Sequence, residues 1–321
     1  MRARSLAGLA DRVGAHRSAD RLHRLRGADL VGVDLPATRG GRLVRVRFQR
    51  HDGRDQVARA IEEGGLWGFE PPLVPLFVEL CRHSYGEVVD VGANTGLYSL
   101  LAVAANRRVR VHAVEAFPAV ADHLRENLAL NRSIARRVRV HQVALSDGNG
   151  SASLYVPPPT GTPIETSASL DPTFKEEIAS EIEVPTRTLD DLWDASARPA
   201  VGLIKVDTEG TEHRVLRGAE AVLATNRPVV ICEVLPRAAT TELTERLART
   251  DYVDIRLRRD VLVIGTRVVF DPDAWNHAFV PEERLLTVEA AGRAIGLGSV
   301  DRRSSPLGTG SQGRPSTSPR G

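Results

Sequence analysis

Several things are scarce in this chain of 321 residues, and each scarcity closes a class of function. Its two cysteines, Cys81 and Cys232, lie far apart in apolar surroundings, which argues against a disulfide framework or a cysteine-based zinc site and for reduced, buried thiols. Neither sign of charge is in surplus: 43 Lys+Arg against 41 Asp+Glu leave a formal +2, so no overall cationic field invites nucleic acid or an anionic membrane. Lysine is almost missing, with Lys175 and Lys205 the only two, and the abundant arginine is read as coding bias without a functional meaning. No run approaches the roughly 18–20 apolar residues of a spanning helix, and the opening MRARSLAGLADRVGAHRSADRLHRLRG has no continuous apolar core of a signal peptide. A soluble, cytoplasmic protein is therefore expected.

What is present is 42% hydrophobic residues, enough to fill a substantial core. Residues 1–45 are expected as a helical leader, with Leu6, Leu9, Val13, Leu22 and Leu25 near one face of a helix over 5–25. Residues 46–84 read as a lead-in that also supplies acceptor-side elements: RLVRVRFQ (42–49) alternates like a strand, and 54–82 is helical with a break at Glu70-Pro71-Pro72. From 85 to 275 short β-rich runs alternate with helical ones, the pattern of a parallel α/β sheet. Within that span the reading places a strand near 150–156, a Pro/Thr/Ser/Gly-rich loop at 157–172, a polar helix and strand over 173–184, and one helix over 212–224. Two strands, 252–258 and 261–269, join tightly at Arg259-Asp260. Residues 276–297 read as an extension, and 298–321, almost without apolar residues, as a disordered tail.

The strongest motif is Val88-Val89-Asp90-Val91-Gly92-Ala93-Asn94-Thr95-Gly96, an apolar strand ending in a glycine turn that opens a helix. In a doubly wound sheet this is the first crossover, where ligands bind beyond the strand ends. Its Gly-x-x-x-Gly spacing meets neither the dinucleotide turn nor the P-loop. An acid on the preceding strand fits instead a ligand with an amino group, a sulfonium and no phosphate, S-adenosylmethionine, with Asp90 receiving the amino group directly or through water. Glu115 ends the next strand 23 positions after Gly92, close to the roughly 20 at which a carboxylate meets ribose hydroxyls. The third strand, VRVHQVALSD, is read as placing Gln142, Ala144, Leu145 and Ser146-Asp147 beside the adenine ring. A second run, Lys205-Val206-Asp207-Thr208-Glu209-Gly210-Thr211-Glu212, gathers a lysine and three carboxylates at another strand end. Glu212 is read there as complementing the helix N-terminus, worth about 0.3–1 kcal/mol, while Lys205 and Asp207 are read as facing the cleft.

In order, DVGANTG, VEAFP, ALSD, TLDDL, KVDTEGTEHRVLRGA and the strand ending in Glu233 resemble the FkbM-type S-adenosylmethionine-dependent methyltransferases over about 80–275. Ala116 departs from the proline that many relatives carry after the acid. The resemblance implies a class I methyltransferase, a Rossmann-like three-layer α/β sandwich with a mostly parallel seven-stranded sheet whose last strand is antiparallel. It implies O-methylation of a hydroxyl on a small metabolite, natural product or sugar. Carried over position by position, it marks Asp90, Gly92, Asn94, Gly96 and Glu115 toward the cofactor, and Lys205, Asp207, Glu209, Gly210 and Glu212 in the second run.

The expected catalytic residues are Asp207, Glu209 and Lys205, and the expected cofactor residues Asp90, Gly92, Asn94, Gly96, Glu115, Gln142 and Ala144. Asp207 or Glu209 takes the acceptor's proton with His213 in reserve, and Lys205 orients an acceptor oxygen or holds Asp207 ionised. No metal, nucleic acid or membrane is expected as a partner, and no oligomeric state is read from the chain. Two rival readings stand beside this one: a nicotinamide-dependent oxidoreductase with an atypical glycine turn, and a non-catalytic cofactor-binding domain, against which the retained pocket acids count.

Overall fold

The computed structural model describes residues 23–24, 29–36, 43–159 and 166–303. The chain opens with an antiparallel sheet of β1 (His23–Arg24), β2 (Leu30–Pro36) and β3 (Leu43–Gln49). Helices α1 (Gln56–Gly64) and α2 (Leu73–His83) follow, separated at the Glu70-Pro71-Pro72 break. Then come β4 (Glu87–Val91), α3 (Leu97–Ala105), β5 (Val111–Val114), α4 (Pro118–Leu130), α5 (Arg132–Ala135), β6 (Val138–His141) and β7 (Ala144–Leu145). The insert holds β8 (Gly150–Val156) and β9 (Ser180–Arg187), and α6 (Leu189–Ala195) leads back to β10 (Val201–Val206). The rest is α7 (Glu212–Arg217), α8 (Glu220–Asn226), β11 (Val229–Glu233), α9 (Thr240–Thr250), β12 (Tyr252–Arg258), β13 (Val261–Gly265), β14 (Asn276–Pro281), α10 (Leu285–Ala294) and β15 (Gly298–Asp301).

The main sheet has the order β15-β13-β12-β14-β11-β10-β4-β5-β6. Strands β6, β5, β4, β10 and β11 are parallel neighbours, and β14 runs antiparallel between β11 and β12. These seven strands, with their last member reversed, are the expected class I methyltransferase sheet, and β13 and β15 extend it to nine. The chain leaves β4 toward β6 and returns to β10 on the other side, so the order reverses between β4 and β10. A crevice opens at such a reversal because the two crossover connections diverge there.

Every residue of α3 is buried. A helix apolar all round needs cover on both sides, and β2 and β3 supply it: Val31, Val33, Leu35, Val46 and Phe48 share one core with Leu100 and Leu101. The backbone of β3 is tied to α4 by side chains, Gln49 N–H donating to Asn127 Oδ1 at 2.8 Å and Arg47 N–H to Asn131 Oδ1 at 2.9 Å. Both cysteines are free and buried.

Several expectations need correction. The N-terminal helix falls outside the described residues except at its end, where His23–Arg24 pair with β2 as a strand. The boundary at 45 cuts β3, and the one at 275 falls just before β14, a strand inside the sheet. Residues 173–179 form a turn followed by bends and irregular chain in place of a helix, with the Asp171 carboxylate taking the Thr173 N–H and hydroxyl at its start. The helix over 212–224 is two helices: Gly218 lies too close to the Ser146 carbonyl for any side chain, and Asp190 caps the second through Ala221 and Val222 N–H. Residues 298–301 are an edge strand, held through the backbone by parallel pairing with β13, while 304–321 lie outside the described residues. Among the described residues no helix is long and apolar enough to cross a membrane.

Candidate active site

The turn after β4 is shaped by its glycines. Gly92 has φ +73°, and a Cβ there would lie 1.7 Å from the Asp207 carbonyl oxygen. Gly96 has φ +92°, and its Cβ would meet Leu124 Cδ1 at 2.3 Å. The tight turn consumes its own amides: Gly92 and Ala93 N–H donate to Val114 O, Thr95 N–H to Asn94 Oδ1 and Gly96 N–H to Ala93 O. Asn94 N–H donates to Glu115 Oε2 at 2.8 Å, and Phe117 N–H to Glu115 Oε1 at 2.9 Å. Burial pushes the Glu115 carboxyl up to about 7 against these two stabilising bonds.

Across the reversal, β10 delivers the acidic run. Asp207 N–H donates to Val91 O at 3.0 Å, which fixes the two strand ends side by side. Glu212, 2% exposed, braces the loop: its Oε1 accepts from Thr208 N–H at 2.8 Å, Thr208 Oγ1 at 3.0 Å and Gly210 N–H at 3.1 Å. Glu209 is pushed up to about 8 by burial and then by the Asp207 charge. Glu233, at the end of β11, is pushed up to about 10 by burial and by Asp207, Glu209 and Glu212, and its Oε2 has no hydrogen-bond partner.

Behind the strand ends lies a buried ionic cluster. Lys205, 2% exposed, donates to Asp207 Oδ2 at 2.7 Å, and its Nζ sits 4.6 Å from the centre of the Tyr98 ring. Burial alone would lower the lysine pKa, but Asp207, Asp90 and Glu70 together raise it. Asp90 is 0% exposed, accepts from Ser99 Oγ at 2.6 Å and keeps Oδ1 without a partner. Burial raises its pKa, with Lys205 opposing. Glu70, from the break between α1 and α2, accepts the Tyr98 hydroxyl.

A cavity of about 80 Å³ sits over the reversal. Glu115, Asp207 and Glu209 form its acidic side, Val143, Ala144, Leu145 and Leu154 an apolar one, and Thr166, Ala168 and Leu170 of the insert complete the wall. No lysine or arginine is among its described lining residues. A groove of about 610 Å³ elsewhere, lined by Arg45, Arg47, Arg82, Arg107, Arg108 and Arg137 among others, contains none of the expected site residues.

Of those residues, Gly92, Asn94, Glu115, Ala144, Asp207 and Glu209 line the cavity. Asp90 and Lys205 lie beneath it, and Gly96 packs on α4. Gln142 is exposed and accepts from Arg125 at 2.8 Å, so it does not flank the cavity. His213 is not in the lining either. Glu70 lies outside the expected site residues, and nothing local in sequence links it to Lys205.

Residues 90–256, just over half the chain, match the methyltransferase FkbM domain. The chain is 28% identical over 226 residues to 31-O-demethyl-FK506 methyltransferase FkbM of Streptomyces tacrolimicus, covering 60% of this chain and 85% of that protein. It is 29% identical over 156 residues to methyltransferase sdnD of Sordaria araneosa, covering 41% and 60%. The crystal structure of methyltransferase FkbM from Methylobacillus flagellatus is similar at a TM-score of 0.42 and 19% identity, covering 60% of this chain and 43% of that one. By the domain match over its central sheet, the chain belongs to the FkbM methyltransferase family.

Proposed function

We propose that the chain transfers a methyl group from S-adenosylmethionine to a hydroxyl of a small metabolite, natural product or sugar. The observation that carries this reading is the turn at 92–96, whose amides are all engaged within the protein while the wall beside it is acidic. A diphosphate needs free amides or cations, and the turn at 92–96 leaves no amide free while the described lining of the cavity holds no lysine or arginine. A sulfonium nucleoside needs carboxylates and an apolar slot. Each Glu115 oxygen accepts one amide and retains capacity for a ribose hydroxyl, and Val143, Ala144 and Leu145 offer the base an apolar face. Small-molecule sites span about 300–1,000 Å³, so seating the nucleoside requires the wall of Thr166, Ala168 and Leu170 to move outward.

When bound, the cofactor supplies an electrophilic methyl carbon. The protein aligns acceptor and donor, which contributes about 7–11 kcal/mol in favourable cases, and accepts the hydroxyl proton. In this reading Asp207 takes that proton at its carboxylate, and the buried Lys205 ammonium holds that carboxylate in place. Glu209, pushed up to about 8, is mostly protonated at neutral pH and fits a hydrogen-bond donor to the acceptor better than a base. An oxygen acceptor is supported by the Streptomyces relative, whose name describes a 31-O-demethyl substrate.

The test is methyl transfer from labelled S-adenosylmethionine to hydroxyl-bearing metabolites in an extract of the producing organism. Labelled product is expected, with turnover by Asp207→Asn lowered about 10²–10⁴-fold while cofactor affinity stays within about twofold. Turnover unchanged in Asp207→Asn would remove that residue from the chemistry, and label appearing only on nitrogen or carbon would overturn the hydroxyl acceptor.

A further inference from the structure

Away from the cavity, the turn between β3 and α1 meets α4 through a group of side chains that the reaction does not use. His51 lies in that turn, and His123 and Glu126 lie on α4. Positions three apart on a helix share a face, so α4 presents an imidazole and a carboxylate together toward His51. One donor atom from each of the three lies within 4.8 Å of the others. The imidazole rings are 4.3 Å apart at their centres. His51 Nε2 lies 3.3 Å from Glu126 Oε2 but outside hydrogen-bonding geometry, and both His51 Nε2 and His123 Nδ1 are buried without a partner.

Two unpartnered buried ring nitrogens side by side are costly to leave unsatisfied. No hydrogen bond joins the two rings, and a divalent ion held by both nitrogens and the Glu126 carboxylate would satisfy them together. From these observations we propose that His51, His123 and Glu126 form a binding site for a divalent transition metal of the zinc type, with a fourth position open to water. Zinc bound by nitrogen at about 2.0–2.1 Å places tetrahedral ligand atoms about 3.3–3.4 Å apart, and the His51–Glu126 pair already stands at 3.3 Å. Nitrogen and carboxylate donors without thiolate suit zinc over copper(I), and imidazole disfavours magnesium or calcium. Neutral imidazoles are required for ligation. Asp55, the buried cap of α1, lies near both rings and adds a negative charge that favours a cation. The ion would clamp the N-terminal layer to α4, the helix on which Gly96 packs.

The experiment uses the full chain stripped with chelator and dialysed against Zn²⁺, with Co²⁺ as a spectroscopic probe. One equivalent of Zn²⁺ is expected to bind and raise Tm, and Co²⁺ is expected to give the visible absorption of a nitrogen- and oxygen-ligated site. Glu126 is exposed, so Glu126→Gln tests ligation without threatening the fold, and His123→Asn removes a nitrogen. Each is expected to weaken Zn²⁺ at least tenfold, with an unfolding curve in chelator that matches the wild type. Absence of stoichiometric Zn²⁺ on the wild-type chain, or undiminished affinity in both variants, would overturn the site.

Discussion

Gly92 is the residue at which the two halves of the site touch. A β-carbon there has nowhere to go, because the Asp207 carbonyl is backbone and φ is already left-handed. Gly92→Ala is therefore expected to destabilise by more than about 3 kcal/mol, from the positive-φ cost and the displacement of β10. Urea unfolding is the check, and a loss below about 1 kcal/mol would mean that the strand ends part easily. That Gly92, Glu115 and Asp207 line one cavity was legible because each sits in a short polar or glycine run at a strand end. Gln142 was misplaced because β6 stops at His141, so the extrapolation of one more strand residue toward the adenine had no strand to rest on. Glu70 joins Lys205 only through folding, 135 positions away in sequence, and no local pattern announces such a contact.

At the level of elements, apolar periodicity located β4, β5, β10 and β11 and their order, and the glycine turn fixed which crossover is the first. The same reasoning missed the break in the helix after β10, because Gly218 is demanded by the approach of Ser146 from another element. It also took 298–301 for tail, since hydropathy does not register a strand held by backbone pairing and polar side chains. The N-terminal layer is a clearer case. The all-apolar run of α3 already requires a cover, yet the sequence does not say which segment provides it. Asn127 and Asn131 answer by gripping β3 from α4, with Asn127 also donating to Thr95 O in the glycine turn at 2.8 Å. The lead-in is thus mechanically joined to the proposed cofactor turn.

For the molecule as a whole, the site gathers carboxyls whose ionisation the fold disfavours. Glu115, Glu209 and Glu233 stand at about 7, about 8 and about 10, all above an unperturbed value of 4.5. A carboxyl raised in the folded state contributes stability that is complete below its unfolded pKa and is lost as pH rises through the folded one. His141, lowered to about 4, acts only between there and 6.5, whereas each carboxyl's contribution is lost between 4.5 and its folded value, so the loss runs on to about 7 for Glu115, about 8 for Glu209 and about 10 for Glu233. Tm is expected to fall by at least about 4 °C between pH 6 and pH 9, and by less in Glu233→Gln. A flat profile in scanning calorimetry would show that these acids are not held in the strained state described.

In the proposed reading a cationic ligand favours the ionised acids, so a sulfonium nucleoside suits the site better than a dinucleotide. The most direct measurement is a calorimetric titration of the full chain with S-adenosylmethionine, with NAD and NADP run alongside. One saturable site is expected for S-adenosylmethionine and none for the dinucleotides, and Glu115→Ala, checked for intact folding, is expected to weaken binding by about 10–150-fold through lost charge-assisted bonds to the ribose. Absence of S-adenosylmethionine binding, or equal affinity in the folded Glu115→Ala chain, would contradict the account.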